Sequence, residues 1–192
     1  MLNVLLLGPQ GAGKGTQGKL ISAEYGLPHI ATGDILRAAM SAGTELGRKV
    51  QPIYDAGHLV PDDIMIALIR ERLAADDAAE GFVLDGFPRT AVQAEALDEM
   101  LDEIGRPITV VLEFQLPEEV SIERLTRRAE QEGRADDTPD AINRRLALYR
   151  EQTEPLIEHY RARGSLVGIP ADRSVEEVFE EIQEALDRVG VR

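Results

Sequence analysis

The chain has 192 residues, 43% of them apolar, which suits one domain, and with 4% aromatics and no Trp its core is aliphatic. A formal charge of −14 argues against a wide basic face for long nucleic acid, though not against a local arginine pocket for a small nucleotide. The absence of cysteine excludes disulfides and thiolate metal sites, and no apolar run approaches the ~20 residues of a membrane span.

In chain order, Leu2 to Leu7 reads as a buried strand. No basic region precedes it, so no signal peptide is read and a soluble, cytoplasmic chain is expected. Gly8-Pro9-Gln10-Gly11-Ala12-Gly13-Lys14-Gly15-Thr16 follows, and Gln17 to Glu24 reads as the first turns of a helix. Leu27 to Ile30 is a second short strand. Asp34 is expected to cap a helix over Ile35 to Ala42, and a further helix over Thr44 to Ala56 ends at Gly57. Asp62 is expected to cap a helix to about Ala75. Gly81 to Asp85 reads as a buried strand ending in a carboxylate, followed by a helix from Ala91 to Glu103. Pro107 to Phe114 is the most strand-like run in the chain. Pro117 opens a helix to about Arg128, and the polar stretch 131–138 turns the chain. One long helix is expected from Pro139 to Arg163, then a strand over Leu166 to Ile169 and a helix capped by Ser174. Strands alternating with helices predict an α/β fold with five parallel strands and helices on both faces. Ligands of such sheets sit at the carboxyl ends of strands, where both the glycine run and Asp85 fall.

The chemistry starts at that glycine run. Strand, glycine-rich turn and helix are the setting a P-loop needs. Glycines let several backbone N–H groups converge on one point, and the helix N-terminus adds its positive dipole end, so the turn is suited to phosphate. Lys14 brings a mobile charge to the phosphates. The residue after the lysine departs from the strict pattern: it is Gly15, and the hydroxyl comes one step later at Thr16. A glycine-rich turn holding no ligand is the bland alternative, and three glycines before a lysine after a buried strand argue against it. Asp85 holds the position where a carboxylate meets Mg2+ in P-loop proteins, directly or through water. All but three of the 21 basic residues are arginine, whose planar fork suits bidentate phosphate binding. Arg37, Arg89, Arg124, Arg128, Arg134 and Arg145 fall near expected loops, and Arg124 and Arg128 share a helix face. Spacing does not choose between Arg144 and Arg145.

Five segments resemble the adenylate kinase family in its short-lid form: GPQGAGKGTQ at 8–17, ATGDILR at 31–37, HLVPD at 58–62, DGFPRT at 85–90 and EGRADDT…NRR at 132–145. The resemblance runs from end to end. It implies a P-loop NTPase fold in a single domain over 1–192, with a core of 1–30, 61–126 and 138–192, a helical AMP-binding flap at 31–60 and a short lid at 127–137. It implies reversible transfer from MgATP to AMP, giving two ADP. Carried over by position, Gly11, Ala12, Gly13, Lys14, Gly15 and Thr16 wrap the ATP phosphates, with Arg124 and Arg128 on the ATP side. Arg173 falls where a backbone carbonyl reads the ATP adenine, its own side chain unassigned. Thr32, Arg37, His58, Leu59, Val60, Gly86, Phe87, Pro88, Arg89 and Gln93 receive AMP, with Gln93 on the adenine edge. Arg134 and Arg145 close on the phosphates between the nucleotides. Lys14, Arg89, Arg124, Arg128, Arg134 and Arg145 are the implied catalytic set, and Asp85 meets Mg2+ through water.

Gln10 departs from the family's usual Pro or Gly, and His58 from a more variable residue. Thr32 favours AMP, since the pyrimidine-specific relatives usually carry Ala there. A short lid without cysteine implies no zinc. The family is usually monomeric, and no nucleic acid or membrane partner is expected. The rivals are a UMP or CMP kinase, a regulatory P-loop ATPase and a non-catalytic nucleotide-binding subunit.

Overall fold

All six residues of strand β1, Leu2–Leu7, are buried, as a central parallel strand covered on both faces requires. The computed structural model describes residues 1–134 and 137–190. Four more strands join β1: β2 (His29–Ala31), β3 (Gly81–Asp85), β4 (Val110–Gln115) and β5 (Leu166–Pro170). Their order is β2-β3-β1-β4-β5, and every pairing is parallel. The expected five-stranded parallel sheet is therefore present.

Nine α-helices flank it among the described residues: α1 (Lys14–Tyr25), α2 (Thr32–Ser41), α3 (Glu45–Asp55), α4 (Asp62–Leu73), α5 (Ala91–Glu103), α6 (Glu118–Glu132), α7 (Pro139–Leu148), α8 (Pro155–Ala162) and α9 (Val175–Arg188). Alternate residues of β1 divide between two cores. Leu5 and Leu7 pack with Ile69 of α4, Leu97 of α5 and Tyr160 of α8, while Val4 and Leu6 pack with Ile21 of α1 and Ile182 of α9. Each aliphatic side chain so buried contributes roughly 1.5–3 kcal/mol, which makes the sheet a firm floor. Leu6 stands opposite both Asp85 and Leu112, so the loop after β1 and the residues after β3 leave adjacent strands at one edge. Gly8 starts that loop at φ 146, and a Cβ there would lie 2.7 Å from the Phe114 carbonyl oxygen, so a side chain would push the loop off β4.

Local expectations fail in three places. α2 begins at Thr32 with Ala31 as its N-cap, so Asp34 lies inside the first turn, where the helix dipole still favours an acid, and its carboxylate pairs with Arg37. α4 has Pro61 as N-cap, and Asp62 is its first helical residue, with its carboxylate turned toward α5. The long helix expected over 139–163 is broken. Proline lacks an N–H and collides with the carbonyl four residues back. Ahead of Pro155 the chain opens into a wide π-turn over Tyr149–Thr153, closed by the Glu154 N–H donating to the Tyr149 carbonyl at 2.8 Å. Ser174 does cap α9, in a reciprocal capping box with Glu177. The lid expectation at 127–137 includes residues 135 and 136, which lie outside the described residues.

Candidate active site

The glycine run bends around the start of α1. Gly11 and Gly13 take left-handed φ values of 81 and 85, and Gly13 caps α1 with no side-chain acceptor and no acid in the first turn. The first N–H groups of the helix therefore lack a side-chain partner and face a ready site for an anion. Lys14, the first residue of α1, folds back so that its Nζ donates to the Gly8 and Pro9 carbonyls, each at 2.8 Å. Burial pulls its pKa down to about 8; nearby Asp85 acts in the opposite sense, and Arg89 and Arg128 add to the fall.

Asp85 closes β3 on the same cleft. Burial pushes its carboxyl up, but the His29 imidazole, then Lys14 and Arg89, outweigh burial and hold it below the usual range. His29 Nε2 lies 3.6 Å from Asp85 Oδ2 and fits only because Gly18 of α1 has no Cβ; one there would come within 2.4 Å of that nitrogen. A Cβ on Gly15 would be 3.8 Å from Asp85 Oδ2, so the first turn of α1 passes close to the carboxylate.

The cleft measures about 370 Å³, within the range typical of ligand sites, and is lined by Lys14, Asp85, Gly11, Gly13, Gly15, Thr16 and Gly86. All six sequence-nominated arginines line it too: Arg37, Arg89, Arg124, Arg128, Arg134 and Arg145. Each is held by the fold. Arg124 donates to the Gly11 carbonyl at 3.4 Å and to that of Ala171 at 3.1 Å, tying the P-loop to the segment after β5. Arg128 makes a bidentate pair with Asp137, both bonds 2.6 Å, and Arg145 reaches the same carboxylate at 3.4 Å. Arg145 also lies 5.2 Å from the Tyr54 ring centre, and the Tyr54 hydroxyl accepts from Arg37. Arg89 donates to the Gly86 carbonyl at 2.9 Å, and Arg134 pairs with Glu132 at 2.5 Å. Of the two neighbouring arginines that spacing could not separate, Arg145 faces the cleft, whereas Arg144 is exposed and donates to the Ala56 carbonyl.

A smaller pocket opens beside the cleft between α2, α4 and α5. Thr32, His58, Leu59, Val60, Gly86, Arg89 and Gln93 line it, with Arg145 at the shared border. Thr32 is buried and donates to the Asp85 carbonyl at 3.3 Å; Gly86, at φ 86, leaves the room its hydroxyl needs. Four nominated residues stand apart. Ala12 and Phe87 are buried in the two cores, so only their backbone can face a ligand. Pro88 lines a narrow cavity behind the cleft with Lys14 and Tyr149. Arg173 lies outside the cleft lining, pairing with Glu181 at 3.1 Å. Sequence reasoning passed over Tyr54, Asp137 and His29. Tyr54 and Asp137 hold arginines through contacts that chain order does not reveal.

An acidic chain that brings six guanidiniums and a lysine around one cleft is built to take polyanions, and the loop-to-helix entrance to that cleft makes it a P-loop nucleotide-binding protein. The family described as Adenylate kinase matches residues 6–165. The adenylate kinase of Thermobifida fusca is 50% identical over 185 residues, covering 96% of this chain and 98% of that protein. That of Stenotrophomonas maltophilia strain K279a is 42% identical, covering 96% and 99%. That of Archaeoglobus fulgidus is 40% identical over 215 aligned positions, covering 98% and 99%; since this chain has 192 residues, that relative carries residues absent here. The chain belongs to the adenylate kinase family.

Proposed function

We propose that the two pockets hold MgATP and AMP end to end and pass the terminal phosphoryl group directly between them, giving two ADP. The observation that carries this reading is the convergence of Lys14 and six arginines on a cleft that joins a smaller, partly apolar pocket. On this reading the Gly11 to Thr16 amides and Lys14 take the ATP phosphates, with Arg124 and Arg128 beside them. Arg37 and Arg89 take the AMP phosphate. Thr32, the chain around His58, Leu59 and Val60, the Gly86–Arg89 backbone and Gln93 enclose the AMP base and ribose. Arg134 and Arg145 face the transferring group. The carbonyl of Arg173 reads the ATP adenine.

Mg2+ enters as part of MgATP. The described residues contain no cluster of three carboxylate or imidazole groups that would hold a metal alone. Asp85, a carboxylate held ionised at the cleft, fits an ion that arrives on the phosphates and is steadied through water. The ion supplies charge neutralisation.

No strong base is needed, because the second phosphate pKa is about 6 and the acceptor is already mostly a dianion at neutral pH. The barrier is electrostatic and geometric. Two polyanions must meet in line, and the guanidiniums and Lys14 offset their repulsion as charge spreads over the transferring oxygens. Water would also accept the group, so the flap at 31–60 and the lid at 127–137 are proposed to close first. No helix among the described residues is long and apolar enough to cross a membrane; the working form is proposed to be a cytoplasmic monomer.

A coupled assay of ADP formed from MgATP with AMP, UMP or CMP tests the reading. Rapid ADP formation with AMP, and far less with the pyrimidines, is expected. No ADP with AMP, or a preference for UMP, would overturn it.

A further inference from the structure

Gln93, in the first turn of α5, is buried against the smaller pocket. Its amide offers two N–H donors and an oxygen with two lone pairs. The Arg89 backbone N–H donates to Oε1 at 2.8 Å, and Nε2 donates to Asp62 Oδ1 at 2.8 Å. These partners have opposite and fixed polarity, since a backbone N–H only donates and a carboxylate only accepts. Turned over, the amide would set N–H against N–H at one end and oxygen against oxygen at the other. Shape alone does not orient an amide, but these two neighbours do. Asp62 is itself held, because the Thr90 hydroxyl donates to the same Oδ1 at 3.0 Å while accepting from the Gln93 backbone N–H at 3.3 Å. Thr90 has thus committed its proton to Asp62.

We infer that Asp62, which does not line the pocket, is a positioning residue for base selection: it fixes the donor end of the Gln93 amide so that the pocket accepts a 6-aminopurine and refuses a 6-oxopurine. This rests on the assignment of Gln93 to the base edge made above. Once its two bonds are formed, the amide keeps one N–H and one lone pair in a set order. Adenine presents the complement, an amino donor at N6 and an acceptor at N1. Hypoxanthine has nearly the same outline with both polarities reversed, an acceptor at O6 and a donor at N1. Pairing with it requires the flipped amide, which Asp62 opposes. A site built around hydrogen bonds discriminates through the groups left unpaired when the wrong partner binds.

The test compares the parent chain, Asp62→Asn and Gln93→Ala on AMP and IMP, with MgATP as donor. Asparagine keeps the size of Asp62 but can donate to a flipped Oε1. The AMP/IMP ratio of kcat/KM, read on one preparation, does not depend on the fraction folded. In Asp62→Asn the ratio is expected to fall about tenfold, with IMP turnover gaining on AMP turnover. A merely structural role would lower both together and leave the ratio alone. An unchanged ratio in Asp62→Asn, with a changed one in Gln93→Ala, overturns the inference and leaves Gln93 on the base. An unchanged ratio in both removes Gln93 from the base and the inference with it. A change in Asp62→Asn alone also overturns it, because the effect then does not pass through Gln93.

Discussion

Lys14 is a cation kept where cations are least comfortable. Burial is the main reason its pKa falls to about 8, and its ammonium is held by two carbonyls of its own loop. The sign of the linkage differs between folding and binding. For folding, the native state holds fewer protons than the unfolded chain between pH 8 and 10.5, so this residue alone makes stability rise with pH across that window. Binding runs the other way. An arriving triphosphate favours the ammonium and raises its pKa, so above pH 8 each ATP bound takes up a proton at Lys14. The nucleotide's own phosphates, with a last pKa of about 6, are already deprotonated there. ATP affinity is therefore expected to fall as pH rises through 8, approaching about tenfold per unit well above it, and to level off on account of this group only about a unit below it. Calorimetry in two buffers of different ionisation enthalpy counts the proton directly. Affinity that is level from pH 8 to 9.5, with no proton uptake, would take Lys14 off the phosphates.

The helical pair α2 and α3 shows how packing can reverse a propensity argument. Gly47 lies inside α3, where alanine normally gains about 1 kcal/mol over glycine. A Cβ there would sit 2.1 Å from the Ala39 carbonyl oxygen and 2.7 Å from the Met40 nitrogen, both backbone atoms of α2. Backbone does not swing aside as a side chain does, so α3 would have to back away, carrying Tyr54 from Arg37 and Arg145. Gly47→Ala is expected to lower Tm and raise KM for AMP several-fold, with KM for ATP nearly unchanged; a higher Tm would show that the two helices are not in contact there. Nothing in the sequence around Gly47 announces that contact. The elements that were legible are those whose signal is local. β1, β3 and β4 are short, mostly apolar runs, the P-loop is a short glycine-rich string, and Ser174 with Glu177 forms a capping box in four residues. The break before Pro155 was missed because the apolar spacing continues through it, with Leu146 and Leu156 both buried. Asp62 was read as a cap because its real partners, Thr90 and Gln93, are 28 and 31 residues away. Asp137 sits in a polar run that looks like plain turn, yet its buried carboxylate joins Arg128 of α6 to Arg145 of α7. The six cleft arginines could be nominated one by one, but that they share a cleft is a property of strand order, which no local pattern encodes.

At the scale of the whole molecule, the sheet and its two cores fix the P-loop and Asp85, while the other half of the site arrives on attachments. One is the α2–α3 pair. Its end rests on α7, where Gly57, at φ 77, leaves room for the Ala141 carbonyl and Arg144 donates to Ala56. The other is the α6–α7 corner, held by a small cluster of Leu125, Ile142 and Leu146 and by the Asp137 pairs. Both carry arginines already engaged by the protein's own polar groups, among them Asp34 and Tyr54 at Arg37 and Asp137 at Arg128 and Arg145, so on the proposed reading a bound phosphate would exchange with contacts the protein makes to itself. On the same reading, that exchange would let nucleotide draw the attachments inward, the form of gating that adenylate kinase lids exemplify. Because the chain has no cysteine, introduced cysteines are its only thiols and take labels cleanly. A fluorescent pair on exposed Gln51 of α3 and exposed Gln131 of α6 reports the gap across the cleft, and a pair on exposed Glu95 and Glu184 reports the core. With two adenosines joined by a phosphate chain, the first pair is expected to shorten, and AMP or ATP alone should shorten it less, while the second pair holds. Neutral guanosine should move neither. If the cleft pair reads the same distance with and without the joined nucleotide, the enzyme reacts in an open cleft, and water must then be kept from the phosphoryl group by the bound substrates themselves.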